Sequence, residues 1–141
     1  MTVLLRTAID SAERRDGVIF GVGTDIIETA RIARVVARGR QYLETIFTEN
    51  EIAYCEGKAH KSQHYAARYA AKEAALKALG VGQARGLAFR DIEVLNDENG
   101  QPQVFFHGRT SQMLERLQVK HAVLSLSHTR ESAVAVIILE K

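Results

Sequence analysis

The feature that most constrains this chain is the stretch from Ser62 to Leu79, SQHYAARYAAKEAALKAL. It is the longest helical pattern in the sequence, roughly 27 Å if fully helical. Alanines occupy positions 66, 67, 70, 71, 74, 75 and 78, so other elements can approach its axis closely. Gly80 and Gly82 follow and stop it, since helix C-termini favour glycine. Such a helix is a scaffold around which a fold is built.

The flanking segments show what is built on it. A first strand is expected over Val18–Val22, ahead of a helical pattern from Glu28 to Arg38 with Ile32, Val35 and Val36 on its apolar side. Arg31, Arg34 and Arg38 share the opposite face. Residues 1–16 read as an extension, with one short helix capped by Asp10 or Ser11, and residues 17–141 as a single domain. Thr48 and Glu51 have capping-box spacing and open a short helix through Tyr54 and Cys55. DIEVL and QVFF flank Asn99-Gly100, a hairpin signal. Ser111–Gln118 reads as a helix, and Ala122–Leu126 and Ala133–Leu139 as closing strands joined by SHTRES. Helices early and strands late imply an α+β fold, an antiparallel sheet packed on one long and several short helices. VLSLS and AVAVIIL carry more apolar surface than a sheet with one solvated face needs. Either a second subunit or the alanine-rich helix covers the surplus.

Several function classes drop out. A formal net charge of +2 does not imply nucleic acid. Cys55 is the only cysteine, which fits a reducing compartment. No apolar run reaches membrane-span length, and charges interrupt the N-terminal patch too early for a signal peptide, so a cytoplasmic location is expected. Gly21-Val22-Gly23 lacks the spacing of a Walker loop or a dinucleotide fingerprint.

Chemistry is concentrated elsewhere. Arg68, Lys72, Glu73 and Lys77 interrupt the alanines. On an ordinary helix Glu73 and Lys77 would be a solvated i, i+4 pair, but the small residues around them place these charges in a cleft. Asp25 either caps the following helix or binds metal, with Glu73 as the second hard ligand. One or two carboxylates plus substrate phosphate is the usual way to hold Mg²⁺. Basic neighbours would neutralise phosphate, so the set points to a diphosphate substrate. His128 stands at a strand end, where binding residues gather; His60, His64, His107 and His121 have no comparable setting.

These residues closely resemble the holo-acyl-carrier-protein synthases, the small trimeric branch of the 4′-phosphopantetheinyl transferases. GVGTDIIE (Gly21–Glu28), extended by Arg31-Ile32, matches the family's G-x-G-x-D-I-x-E motif. RYAAKEAALKALG (Arg68–Gly80) matches its second signature. FTENE, DIEVLNDENGQP and SLSHTRESAVAVIILE are similar to the family as well, so the resemblance covers about residues 17–140. It implies transfer of 4′-phosphopantetheine from coenzyme A to a serine of apo-acyl carrier protein, releasing adenosine 3′,5′-bisphosphate. It implies Asp25 and Glu73 as Mg²⁺ ligands, and Lys77 at the phosphates beside them. Arg68, Lys72 and His128 would line the coenzyme A site. Arg31, with Arg34 and Arg38, would form the docking face for the acidic carrier helix. It further implies a homotrimer with sites between subunits. Two departures stand out: the N-terminal extension, and Thr129 where some relatives carry an acidic residue, which leaves Glu73 or a water beside the metal to take the serine proton. A catalytically silent carrier-binding module would lack a metal carboxylate. A metal-dependent nucleotide diphosphate hydrolase would not need the arginine face.

Overall fold

A computed structural model describes residues 3–4, 18–81 and 87–141. Around the long helix it arranges two three-stranded antiparallel sheets rather than one. Strands β2 (Ile19–Glu28), β6 (Ser132–Glu140) and β5 (His121–His128) form the first, with β6 central. Strands β1 (Val3–Leu4), β4 (Pro102–Phe106) and β3 (Ile92–Asn96) form the second, with β4 central. The α+β expectation holds.

The helices are α1 (Thr29–Ala37), α2 (Arg40–Leu43), α3 (Glu49–Glu56), α4 (Lys61–Leu79) and α5 (Gly108–Leu117). Helix α4 runs 19 residues and ends at Gly80, whose φ of 74° is the left-handed cap geometry that glycine adopts freely. Gly82 and the expected N-terminal helix at Asp10 or Ser11 lie outside the described residues. The capping box forms as expected: the Thr48 hydroxyl accepts from Glu51 N, and the Glu51 carboxylate accepts from Thr48 N. Asn99-Gly100 turns the β3–β4 hairpin, with Gly100 at φ 80° and Asp97 Oδ1 accepting from the backbone of Asn99 and Gln101.

Two expectations change. The first strand does not stop at Val22 but continues through the whole GVGTDIIE stretch, so Asp25 lies within β2, opposite Ala135. Asp25 is therefore no helix cap; that position falls to Glu28, which makes no side-chain cap bond. Within the N-terminal extension, Val3 and Leu4 pair with Phe106 and Phe105 on β4.

The alanine stripe explains the packing. Ala66, Ala70, Ala74 and Ala75 are wholly buried, and α4 lies across the first sheet against Ala133, Ala135, Ile137 and Leu139 of β6 and Ala122 and Leu124 of β5. That helix covers one face of the sheet. The other face stays open, with Ile26 69%, Val22 56% and Val136 37% exposed. The apolar surplus in the late strands thus has two destinations, one buried under α4 and one facing outward.

Candidate functional site

Gly21 and Gly23 decide where the acid stands. A Cβ on Gly21 would lie 2.0 Å from the Ala78 carbonyl oxygen, and one on Gly23 would lie 1.7 Å from that of Ala74. Strand β2 can thus press its backbone onto α4 only because both positions lack a side chain. Side chains alternate along a strand, so Asp25 points to the same helix-facing side as the two glycines. It comes out beside the stripe Tyr69, Glu73 and Lys77, spaced four residues apart on α4.

Lys77 closes this cluster. Helical side chains lean toward the N-terminus, and Lys77 Nζ reaches back to donate to Asp25 Oδ1 and to the Thr24 carbonyl, both at 3.0 Å. The charges of Glu73, Arg31 and Asp25 all reach the Tyr69 phenol. Burial, then the Glu73 charge, raise that phenol above its ordinary pKa. Tyr69 was absent from the sequence expectations because an aromatic inside a helix reads as packing. The fold brings Lys77 onto Asp25, with Glu73 one turn before Lys77 on the same stripe of α4. Among the described residues no three His, Cys, Asp or Glu side chains gather as a metal cage. Two carboxylates beside a lysine suit a hard cation that takes its remaining ligands from phosphate and water, which is the donor set of Mg²⁺.

A second constellation lies on the other flank of α4. A cavity of about 410 Å³ is lined by Tyr54, His64, Arg68, Asn96, Pro102 and His128, among others. The Arg68 guanidinium sits 4.0 Å over the Tyr54 ring and donates to Asn96 Oδ1 at 2.8 Å. Its Nε is buried with no hydrogen-bond partner among the described residues. The His64 and His128 rings meet edge-on at 5.7 Å. Burial, then the positive charges of His128, Arg68, Lys58 and His60, pull the His64 pKa below 6.5. A ligand that brings negative charge would relieve that repulsion. His64 carried no signal in sequence, because its partners arrive from other elements. Thr129, the departure beside His128, is a turn residue: its hydroxyl accepts from the backbone of Glu131 and Ser132, each at 3.2 Å.

One expectation needs correction. Lys72 does not line either cluster; its side chain is wholly buried, as is that of Glu51, to which Nζ donates at 2.7 Å. Nζ also donates to the carbonyls of Phe89, at 2.9 Å, and Ile92. Burial pulls the Lys72 pKa below its ordinary value and the adjacent Glu51 charge pulls it back. The ion pair ties α4 to α3 and to the start of β3. Lys72→Met is therefore expected to lower stability by about 3–5 kcal/mol, because it strands the Glu51 carboxylate in the core. Denaturant unfolding should show that loss, while the folded fraction keeps its KM for coenzyme A, the substrate that the family resemblance implies, within twofold. A normal midpoint with a raised KM would return Lys72 to the site.

The arginines stand as expected. Arg31 and Arg34 on α1 and Arg38 at its C-cap are exposed while Ile32 is buried, and the Arg38 guanidinium stacks 3.8 Å over the Tyr42 ring.

With both clusters in place, relatives can be compared. The sequence profile of the 4′-phosphopantetheinyl transferase superfamily matches residues 21–137, which contain both clusters. The chain belongs to that superfamily. It is 45% identical over 124 residues to a holo-[acyl-carrier-protein] synthase of Geobacter sulfurreducens, covering 87% of this chain and 98% of the relative. Its fold matches the crystal structure of holo-[acyl-carrier-protein] synthase from Neisseria meningitidis with a TM-score of 0.80 and 32% identity, over 88% of this chain and 100% of that one. A Bacillus anthracis holo-(acyl-carrier-protein) synthase, solved in complex with CoA (3′,5′-ADP), matches at TM-score 0.72 and 37% identity, over 87% of this chain and 97% of that one. The chain is thus a transferase of the phosphopantetheinyl class. No described helix is long and apolar enough to cross a membrane.

Proposed function

We propose that this transferase moves 4′-phosphopantetheine from coenzyme A to a serine hydroxyl of apo-acyl carrier protein and releases adenosine 3′,5′-bisphosphate. The observation that carries the reading is the meeting of Asp25, Glu73 and Lys77 where β2 crosses α4, within a chain of this superfamily. Asp25 and Glu73 would hold Mg²⁺, which when bound neutralises charge on the diphosphate as its bond breaks. Lys77 adds a cation at the same phosphates. The serine oxygen forms the new bond to phosphorus, and adenosine 3′,5′-bisphosphate leaves with the electron pair of the broken one. Glu73, or a water beside the metal, would take the serine proton.

The Arg68 cavity suits the adenosine and 3′-phosphate end of coenzyme A. It offers a buried guanidinium with a spare N–H, stacking surfaces and the paired His64 and His128 rings. Within one chain it cannot share a ligand easily with the acid cluster. Asp25 and His128 sit on the two edge strands of the first sheet, opposite Ala135 and Ala133 of β6. Two strand spacings and a two-residue offset, roughly 12 Å, therefore separate them, with α4 over the sheet between. A neighbouring copy resolves this: docking through the open face of Val22, Ile26 and Val136 would set one chain's His128 against another's Asp25. The open apolar face, together with the family resemblance, supports a homotrimer as the working form, and the single cysteine, Cys55, fits a cytoplasmic location.

The test is incubation with coenzyme A, Mg²⁺ and apo-carrier protein, followed by mass measurement of the carrier. A gain of one phosphopantetheine is expected, from protein that light scattering finds at three chain masses. Carriers that stay unmodified, across several acyl carrier proteins, would end this reading.

Arg31, Arg34 and Arg38 would meet the acidic helix of the carrier. Arg31→Glu is expected to raise the carrier KM at least tenfold and leave the coenzyme A KM within threefold. The defect should shrink as salt rises, since exposed charges are screened over about 8 Å at physiological ionic strength. Equal losses for both substrates would remove the docking role.

A further inference from the structure

Arg68 lines its cavity with a long side chain whose torsions are soft, so its fork binds a ligand well only if something holds it. We propose that Asn96 is the positioning residue for this guanidinium, a neutral amide that orients it toward the phosphate end of coenzyme A without cancelling its charge. The inference rests on the reading of the Arg68 cavity as the seat of the adenosine and 3′-phosphate.

Three observations support it. Arg68 Nη2 donates to Asn96 Oδ1 at 2.8 Å, and Asn96 Nδ2 donates to the Gly100 carbonyl, also at 2.8 Å. These partners leave the amide one orientation, because a guanidinium can only donate and a carbonyl can only accept. The turn behind the amide is itself held. Asp97 Oδ1 accepts from Asn99 N and Gln101 N, and Asp97 N donates to the Gln101 carbonyl at 2.9 Å. Asn96 ends β3 opposite Pro102 of β4, and both line the same cavity as Arg68. Third, the Tyr54 ring restrains the fork from another side, its centroid 4.0 Å from the guanidinium carbon. Nε, buried with no partner among the described residues, is left for a ligand. A carboxylate at position 96 would accept the same bond but would offset the positive charge that attracts a phosphate.

The test is calorimetric titration of the full chain with coenzyme A and with dephospho-coenzyme A, which lacks only the 3′-phosphate. Mg²⁺ is present and carrier protein is absent, so no turnover occurs. Asn96→Ala is expected to weaken coenzyme A binding about tenfold, the size of a lost hydrogen bond to a charged group, and dephospho-coenzyme A binding less than about twofold. Asn96→Asp keeps the acceptor and the side-chain size, and the same one-sided loss is expected from its charge. In an Arg68→Lys background, where no fork remains to be aimed, Asn96→Ala should add nothing. Equal losses for the two ligands would mean that a loosened hairpin has deformed the cavity, and would overturn the assignment. So would unchanged coenzyme A affinity in either variant, or a loss that simply adds to that of Arg68→Lys. An Arg68→Lys protein that binds both ligands as the parent does would overturn the cavity reading itself, and the proposal with it.

Discussion

Asp25→Ala and Glu73→Ala should each cut the transfer rate roughly a thousandfold or more, with the fold intact. The loss is large because electrostatic stabilisation of a charged transition state is commonly the dominant catalytic term, and each removed group can cost two to three powers of ten. If Asp25 and Glu73 hold the dication as proposed, it would have few protein ligands left when one is gone. Stability should barely move. The Lys77–Asp25 pair is half-exposed on the lysine side, and exposed pairs contribute under about 1 kcal/mol. Single-turnover rates over a range of Mg²⁺ concentrations, alongside thermal melts, check both halves. A Glu73→Gln enzyme with near-normal rate at low Mg²⁺ would refute the assignment.

How much of this was legible beforehand depends on how far apart the partners lie in sequence. The long helix, its glycine stop, the capping box and the Asn-Gly hairpin are set by neighbours within a few residues, and the structure contains each of them. The Asp25, Glu73 and Lys77 cluster was legible through the paired motifs, although Lys77 and Asp25 are 52 residues apart. Lys72 was misplaced because a lysine is almost never fully buried unless paired, and its partner Glu51 lies 21 residues away. Glu51 itself read as a capping residue and nothing more. It is also the acceptor for Lys72 and for the Val94 amide, 3.1 Å away, so one carboxylate serves the cap and the core. His64 was passed over for the same reason, since its setting comes from β5 and α3 rather than from its own helix. The strand through Asp25 was cut short at Val22 because glycines and an acid argue against a strand interior. Close helix contact overrides that preference here.

That contact makes Gly23 the position where the smallest change should do most harm to the fold. Gly23→Ala is expected to destabilise the protein by more than about 3 kcal/mol, beyond the usual range for overpacking. The added methyl would stand 1.7 Å from the Ala74 carbonyl oxygen, 2.7 Å from its carbon and 2.8 Å from the Ala78 nitrogen. All three are backbone atoms of a helix whose own hydrogen bonds hold them, so no side chain can rotate away. Strand β2 must lift off α4 instead, and the wholly buried alanine layer beneath it loses contact along the strand. Since domains of this kind are stable by only about 5–15 kcal/mol, much of the protein should be unfolded or insoluble at physiological temperature. Asp25 would move with the strand, so the surviving folded fraction should also lose transfer activity. Truncating the helix side cannot repair the clash: Ala74→Gly removes a Cβ but keeps the carbonyl that the methyl strikes. The double variant Gly23→Ala with Ala74→Gly should therefore be no more stable than Gly23→Ala alone, and glycine within the helix should cost roughly a further 1 kcal/mol. Urea unfolding of the three proteins measures this directly. Rescue by Ala74→Gly, or a Gly23→Ala unfolding free energy within about 1 kcal/mol of the parent's, would mean that the strand and helix are not held at this separation.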